Sequence, residues 1–352
     1  MSSTGQHTIV GVVLGSTWRT GAQLAALDGF IPLSIDPITL QGDPIEEVGI
    51  GNFDELPAMD LIAVEANPTI VANLRREGAI WKFMANLFGD DTVSGPSGNV
   101  FTHTFNWQQR STLIHTMAME IGDADIWEWP SLKVVAAIIE GDGEGWVGIT
   151  FETIGSTINI AGDGTNVSGD FDNVTYDTKV KKIKLKSTRI RINGQSGGAL
   201  GSSDEQNVSN WRLEIRRPYE REDLILAATD GTETQTDEPI QEGVSMVKLS
   251  LTYKDYDKEA NDNSLFDDLK DETEYKADID MAITIGSDAH DLLTQLPRLR
   301  SLPQESSIDG AGRVTLTRHF RALDAAASPT GMTINTLVHM INQDVVTLAY
   351  EV

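Results

Sequence analysis

One stretch near residue 60 constrains the fold most, because its hydrophobic period changes twice over a short distance. Asp60–Pro68 has the apolar character of a strand. Apolar residues then recur at helical spacing: Ile80, Phe83, Met84 and Leu87. Gly89 follows, where a helix C-terminus favours a positive φ. Beyond an acidic loop, alternate residues share one face of a second predicted strand: Phe101, His103, Phe105 and Trp107. The order predicts a strand–helix–strand unit.

A long hairpin is predicted next. Its arms are Leu132–Ile139 and Trp146–Ile154, and its tip is Glu140–Gly145. In the second arm one face is apolar, with Val147, Ile149 and Phe151. The opposite face is polar, with Gly148, Thr150 and Glu152. This alternation predicts a strand that buries one face and exposes the other.

The second half of the chain repeats this order of patterns. Predicted strands cover Val208–Arg216, Met246–Tyr253 and Tyr275–Ile285, and a further strand pair follows Pro297. Gly145-Trp-Val-Gly-Ile-Thr aligns with Gly312-Arg-Val-Thr-Leu-Thr, which places Thr315 and Thr317 on a polar face like that of Thr150 and Glu152. We therefore predict an extended arm over residues 1–59, a first unit over 60–158, a linker and basic strand over 159–186, and a second unit over 187–352.

The charge is strongly negative: 27 Lys and Arg stand against 53 Asp and Glu, a formal net charge of −26. Such a surface repels phosphates and argues against sequence-specific nucleic-acid binding. There are no cysteines, which excludes disulfides and cysteine nucleophiles. The longest wholly apolar run, Val134–Ile139, is far too short to span a membrane, so we expect no membrane partner.

One basic run interrupts this acidity, from Lys179 to Arg191. Its cations alternate with apolar residues, which predicts a strand with a charged face: Lys182, Lys184, Lys186, Arg189 and Arg191. Because the rest of the chain is acidic, the expected partner of this strand is an acidic surface on a neighbouring copy.

The chain offers no convergent catalytic or metal-binding pattern. The six histidines are scattered, no close metal-spaced pair occurs, and no Gly-x-Ser-x-Gly elbow is present. The glycines of the hairpin tip are interleaved with acids and precede a strand, unlike a phosphate-binding loop. We therefore predict a non-enzymatic protein with no cofactor, metal or catalytic residues. The alternatives are a carbohydrate-binding β-sandwich adhesin and, less favoured, a glycoside hydrolase with paired carboxylates.

The order of these segments resembles the tail tube, or major tail, proteins of bacteriophages with long non-contractile tails. The resemblance runs through both predicted units and rests on Leu61–Gly89, Asn99–Phe105, Trp129–Gly155, Asn193–Pro218 and Ser307–Ala325. It implies a mainly β fold, a β-sandwich or barrel with short flanking helices. The two tandem units are expected to contribute hairpins to a β-barrel shared between subunits.

The resemblance also implies a structural role. The chain is expected in the virion, made in the host cytoplasm, as a subunit of stacked rings around a channel that conducts DNA. Its expected partners are copies of itself, a tape measure protein and tail completion proteins. Thr150, Glu152, Thr315 and Thr317 are the expected channel-lining residues. Because sixfold rings are usual in this family and this chain has two units, we expect a trimeric ring with pseudo-sixfold symmetry rather than a hexamer.

Overall fold

The structure is a computed structural model, and it describes most of the chain. The described residues are 8–36, 44–46, 59–61, 66–76, 78–97, 100–122, 125–142, 145–160, 164–176, 182–220, 224–226, 234–236, 238–253, 270–285, 288–303 and 316–344. Within them, strands predominate and two α-helices occur, so the predicted mainly β fold is confirmed. No helix in this part of the chain is long and apolar enough to cross a membrane.

The elements of the first half are β1 Thr8–Gly15, β2 Gly29–Phe30, β3 Ser34–Asp36, β4 Pro44–Glu46, β5 Met59–Leu61, β6 Thr69–Asn73, α1 Ile80–Phe88, β7 Thr92–Ser97, β8 Val100–Asn106, β9 Ile114–Ile121, β10 Asp125–Asp142, β11 Gly148–Gly155, β12 Asn159–Ile160 and α2 Ser168–Phe171. Those of the second half are β13 Thr188–Gly194, β14 Asn210–Arg216, β15 Tyr219–Glu220, β16 Leu224–Leu226, β17 Thr234–Thr236, β18 Ile240–Gln241, β19 Met246–Tyr253, β20 Glu274–Ile285, β21 Asp288–Ser301, β22 Leu316–Ala322 and β23 His339–Asp344.

The same path of antiparallel pairings occurs twice. In the first half it runs β1–β9–β10–β11–β6–β3. In the second half it runs β13–β20–β21–β22–β19–β14. In both paths the strands also follow one another in the same order along the sequence. The C-terminal half of β10 pairs with β14, which joins the two paths in one sheet. Among the strands that the structure describes, the pairings branch and do not close into a ring.

Each path contains one long strand with a proline at a shift of register. Pro130 lies in the shift between β10 and β9, and Pro297 lies in the shift between β21 and β20. Proline has no backbone N–H, so it is tolerated where the ladder is already interrupted. Pro130 thus lies just before the predicted hairpin arm Leu132–Ile139, and Pro297 lies just before the further predicted strand pair.

Helix α1 forms as the periodicity predicts, and its apolar face is buried against β10, β8 and β9. Gly89 ends it with φ 83°, and its N–H donates to the Ala85 carbonyl. Asn86, fully buried, accepts a hydrogen bond from the Val134 N–H and donates to the Leu113 carbonyl, where β10 and β9 shift register. The helix therefore supplies partners for backbone groups that the sheet leaves unpaired.

The helix C-terminus is held by Arg217, which the sequence analysis does not single out. Its guanidinium, completely buried, donates to the carbonyls of Leu87, Phe88, Gln108 and Gln109 and to the side chain of Gln241. The same group lies 4.2 Å from the centroid of the Trp107 ring. A cation is favourable at the negative end of a helix. Arg217 thereby ties α1 to the chain that follows β14.

Two predicted connecting segments pack as parts of the fold. The described part of the predicted arm contains β1, which pairs along its whole length with β9 and buries Val10 and Val12. The predicted linker contains α2, and its Phe171 is buried against Leu24 and Ile126. Both described segments therefore pack against other parts of the chain. The proposed unit boundaries stay a prediction.

The two halves share one core. Its buried side chains come from strands of both pairing paths and from α1. The last described strand, β23, pairs with β8 of the first half and with β21 of the second. The core therefore spans the sequence boundary between the predicted units.

Candidate functional site: a polar sheet face and a basic cluster

Seven neighbouring strands present one polar surface, which we call the polar face. Their order is β3–β6–β11–β10–β14–β19–β22. Directly opposite residues of neighbouring strands point to the same side. The polar face consists of Ser34, Asp36, Thr69, Val71, Asn73, Thr150, Glu152, Ile138, Glu140, Asn210, Arg212, Glu214, Arg216, Met246, Lys248, Ser250, Thr252, Thr317, His319 and Arg321. The reverse side packs into the core.

Three of the predicted channel-lining residues lie on this one face. Thr150 and Glu152 alternate with buried Ile149 and Phe151 on β11. Thr317 on β22 lies opposite Thr252, and their hydroxyls are 3.1 Å apart. Thr315 lies outside the described residues. The structure thus brings polar positions of both predicted units into one surface, within the five neighbouring strands from β11 to β22.

Ion pairs link different strands in the middle of the polar face. Arg216 on β14 lies 2.9 Å from the Glu152 carboxylate and 3.2 Å from that of Glu214. The first pair spans the small side chain of Ala136 on the intervening strand. Burial opposes the charge of Arg216, but hydrogen bonds to Glu152 and Glu214 raise its pKa above the ordinary value. Arg212 forms a second ion pair, with Glu140 directly opposite it on β10.

Charge on the polar face is divided between the two halves of the chain. The described strands β3, β6, β11 and β10 carry the acids Asp36, Glu140 and Glu152 and no Lys or Arg on this face. Strands β14, β19 and β22 carry Arg212, Arg216, Lys248 and Arg321 against the single acid Glu214. The residues predicted to line a channel include no arginine, but the pairing of β14 beside β10 brings arginines onto the same surface.

The second candidate feature is the basic run. Lys182 and Lys184 lie over the Trp146 ring, with ammonium-to-centroid distances of 5.5 and 4.8 Å. Lys184, Lys186 and Arg189 are exposed, and Trp146 is 44% exposed. We call these five residues the basic cluster. Trp146 is absent from the set predicted from the sequence because it begins the second arm of the predicted hairpin, far from the lysines in sequence.

The predicted basic strand is only partly a strand. Lys182 and Lys184 make single bridges to Arg75 and Trp146, a 3₁₀ turn covers Leu185–Ser187, and β13 begins at Thr188. The turn breaks the regular alternation that the sequence suggests.

Arg191 has its partner within the same chain. Its guanidinium donates two hydrogen bonds to Asp278, of 2.8 and 2.7 Å, and lies 3.6 Å from Asp280. The hydrogen bond to Asp278 raises the pKa of Arg191. Burial raises the pKa of the Asp278 carboxyl, although Arg191 opposes this. Arg191 therefore links β13 to β20 within the chain, and its contact with a neighbouring copy stays a prediction. Arg189 also has an acid in reach, Glu205 at 3.9 Å, but both side chains are largely exposed.

A cavity of about 480 Å³ adjoins the basic cluster. It is lined in part by Lys184, Lys186, Arg189, Glu205 and Asn207. Its mouth is open to solvent, and its cations outnumber its acids. This is a surface that can take an anionic group.

Within the described residues, no group of three or more His, Asp or Glu side chains could hold a metal ion. Two buried histidines have structural partners. The Nδ1 of His103 lies 2.9 Å from the Asp91 carboxylate, and that of His115 lies 2.9 Å from the Asn86 amide nitrogen. Burial lowers the pKa of His115 to about 3, with Lys82 adding to the effect.

Comparison with known proteins gives little. No protein-family model matches the chain, and no curated protein matches it. Among solved structures, the chain is similar to one titled "Crystal structure of Hcp protein". That alignment has a TM-score of 0.20 and 15% sequence identity, and it covers 38% of this chain and 87% of the other. A likeness at this level carries no argument about function.

Proposed function

We propose that the chain is a structural, non-enzymatic subunit that assembles with copies of itself into rings, which stack into a phage tail tube. The polar face lines the channel, through which DNA passes during genome delivery. The observation that carries the proposal is the polar face itself: seven strands from both halves of the chain bury one side and leave the other side polar.

The sheet has the edges that such an assembly needs. At one end of the seven strands, β3 pairs only with β6 among the described strands. At the other end, β22 pairs with β21 only over Phe320–Ala322. A strand with unpaired N–H and C=O groups readily takes a strand from another chain. Within the chain, β14 pairs in this way with the C-terminal half of β10, so that β14, β19 and β22 continue the sheet of β3, β6, β11 and β10. A contact between copies would repeat this kind of pairing.

The number of strands fits three copies. Seven described strands per chain give 21 strands in a trimer, and strands lie about 4.8 Å apart. The backbone circumference is then about 100 Å and the diameter about 32 Å, or about 42 Å with a strand tilt of about 40°. That leaves room for side chains and a DNA duplex. Six copies double the diameter, so we favour the trimer with pseudo-sixfold symmetry.

The charges of the polar face suit a wall that does not retain DNA. Both signs of charge lie on it: Asp36, Glu140, Glu152 and Glu214 stand beside Arg212, Arg216, Lys248 and Arg321. Arg216 and Arg212 are engaged by carboxylates, so they offer little net attraction to phosphate. In a trimeric ring, acidic and basic sectors alternate three times per turn. In this role the channel holds a tape measure protein before DNA passes, and completion proteins close the tube ends.

Labelling of single cysteines tests the channel, because the chain has no cysteine of its own. Thr150→Cys places a thiol on the polar face, and Asp172→Cys is the matched control on an exposed residue after α2. In assembled tubes, a bulky maleimide reagent should label Asp172→Cys at the rate of the dispersed protein and Thr150→Cys far more slowly. Equal labelling of both in tubes would refute the channel assignment.

Assembly and stoichiometry are tested on the unmodified protein. Negative-stain microscopy should show rings or tubes, and native mass spectrometry of single rings should give three copies. A protein that stays monomeric across concentration and salt contradicts the proposal as a whole. Rings of six copies contradict only the trimer.

A further inference from the structure

The cavity beside the basic cluster lies where the two halves of the chain join, and we call it the junction cavity. Its walls come from the connection between β10 and β11, the start of β13 and the residues that lead into β14. Backbone hydrogen bonds hold these walls in place. The Leu185 N–H donates to the Gly145 carbonyl at 3.3 Å, and the Gln206 N–H donates to the Ile190 carbonyl at 2.8 Å. The junction cavity is therefore formed by backbone that the sheet already fixes.

The side chains of the junction cavity are mainly hydrogen-bond donors. Lys184, Lys186 and Arg189 line it, and Glu205 is the one acid among its described lining residues. Arg189 and Glu205 lie 3.9 Å apart and are both largely exposed, so this pair leaves the guanidinium accessible. Trp211 forms part of the wall and is 1% exposed, and its indole N–H has no acceptor among the described residues. A buried donor without an acceptor is rare in proteins, and a ligand that accepts a hydrogen bond would satisfy it.

The first half of the chain contains the same backbone arrangement and serves as an internal comparison. Gly11 on β1 pairs with Gly29 on β2. At the equivalent place in the second half, Arg191 on β13 makes a bridge to Glu205. Strands β1 and β13 begin their pairing paths, and the strands that follow these pairs, β3 and β14, end them.

The equivalence continues into β3 and β14. The Leu33 N–H donates to the Val71 carbonyl at 2.7 Å, and the Ser209 N–H donates to the Thr252 carbonyl at 2.8 Å. In both halves the donor is the fourth residue after the second member of the pair just described. The two halves can therefore be compared position by position around the junction cavity.

The polar lining occurs in the second half only. The positions equivalent to Arg189, Gln206, Asn207 and Trp211 are all apolar in the first half: Ile9, Phe30, Ile31 and Ile35. The same backbone thus accepts apolar residues, and the fold does not require the polar groups of the junction cavity. A few polar groups placed in a concave site are typical of ligand binding.

We propose that the junction cavity binds an oxyanion, the phosphate or carboxylate group of a small molecule, through Lys184, Lys186 and Arg189. Its volume of about 480 Å³ is in the range of small-molecule sites, about 300–1,000 Å³. Ammonium and guanidinium groups form strong, charge-assisted hydrogen bonds with oxyanions. Because the whole chain has a net charge of −26 and repels anions at long range, the binding energy comes from these local contacts. The inference does not depend on the proposed function.

The experiment titrates the dispersed, full-length protein with inorganic phosphate, pyrophosphate and citrate at constant ionic strength, with chloride as the reference anion. Isothermal titration calorimetry measures affinity and stoichiometry. The indole N–H resonance of Trp211, assigned by its loss in Trp211→Phe, reports whether the bound anion reaches the junction cavity. We expect one site per chain and a shift of this resonance at saturation. Tighter binding of the phosphates or of citrate tells which of the two ligand groups the site prefers.

Substitutions then separate a specific site from a response to net charge. Lys186→Gln combined with Arg189→Gln should weaken binding about tenfold or more, because hydrogen bonds to charged groups are among the stronger ones. Glu205→Gln removes the acid of the cavity and should tighten binding about threefold, as expected for one exposed charge. Asp172→Asn changes the net charge by the same amount at an exposed position after α2 and should leave the affinity unchanged.

Three results would overturn the inference. The first is the absence of saturable binding by all three anions. The second is wild-type affinity in the variant without Lys186 and Arg189. The third is equal tightening by Glu205→Gln and Asp172→Asn, which would mean that only net charge matters. If the double variant does not fold, the Glu205→Gln comparison and the Trp211 resonance decide, and a resonance that stays in place at saturation also overturns the inference. Rings and tubes are observed separately, so the proposed function stands or falls on its own tests.

Discussion

Arg217→Met should destabilise the chain more than any other single arginine substitution on β14 or next to it. The wild-type guanidinium makes five hydrogen bonds, four of them to carbonyls around the C-terminus of α1, and it is fully buried. Methionine fills a similar volume but donates nothing, so buried carbonyls lose their partners. An unsatisfied buried group costs about 1–3 kcal/mol, and here four carbonyls and the Gln241 side chain lose one donor group. Because neighbouring losses are not additive, we expect about 3–5 kcal/mol in total.

Urea denaturation followed by tryptophan fluorescence measures this loss, at a protein concentration and ionic strength where wild type stays dispersed. The adjacent Arg216→Met is the matched control. Arg216 is half-exposed on the polar face and engages only Glu152 and Glu214, so its loss should cost about 0–1 kcal/mol. Arg217→Lys keeps the charge but not the planar fork of donors, and should fall between the two. A cost for Arg217→Met no larger than that of Arg216→Met would refute the account of the helix C-terminus.

Three further substitutions test other parts of the fold. His115 stays neutral when folded because burial lowers its pKa to about 3. Its contribution is therefore complete above the unfolded pKa of about 6.5 and is lost at about 1.4 kcal/mol per pH unit as pH falls towards the folded value. His115→Asn should flatten the stability curve over that window, and an unchanged curve contradicts this. Gly89→Ala should cost about 1 kcal/mol or more, because φ is 83° and a Cβ would lie 3.1 Å from the Arg110 carbonyl oxygen. Gly169→Ala, where a Cβ meets nothing within 4 Å, is its control and should be near neutral in thermal unfolding. Glu128 is fully buried and accepts hydrogen bonds from the Thr165 and Asn166 N–H groups at 3.0 and 2.8 Å. Glu128→Ala should expose the segment around α2 to limited proteolysis, and wild-type resistance contradicts that role.

The sequence predicts those elements whose apolar residues alternate or follow a helical period. Helix α1, β19 and β20 appear close to their predicted bounds, because their apolar residues recur at the period of a helix or a strand and α1 ends at a clear signal, Gly89. Strand β1 is missed because its central residues Val10, Gly11 and Val12 are all buried, so no alternation marks it. Local pattern cannot reveal a strand covered on both faces.

The residues of the candidate site also divide into those that the sequence predicts and those that it does not. Thr150 and Glu152 are predictable, since apolar residues alternate with them on a single strand. The arginines of β14 are not, because their place on the polar face depends on pairing with β10, which lies far away in sequence. Arg217 is missed for a related reason. Its acceptors are backbone carbonyls around α1, and every residue has such a carbonyl, so the sequence does not indicate which of them an arginine will bind.

The pairing of β23 with β8 bears on the order in which a newly made chain can fold. Asn106 and His339 lie opposite each other in the sheet, so the outer edge of β8 stays open until β23 has been synthesised, more than two hundred residues later. The C-terminal half of β10 waits in the same way for β14. Such long-range pairings slow folding and leave unpaired, aggregation-prone strand edges exposed until the partner strands are made. N-terminal fragments that end before β14 should therefore aggregate rather than fold, and this sheet should be completed only after β23 has left the ribosome.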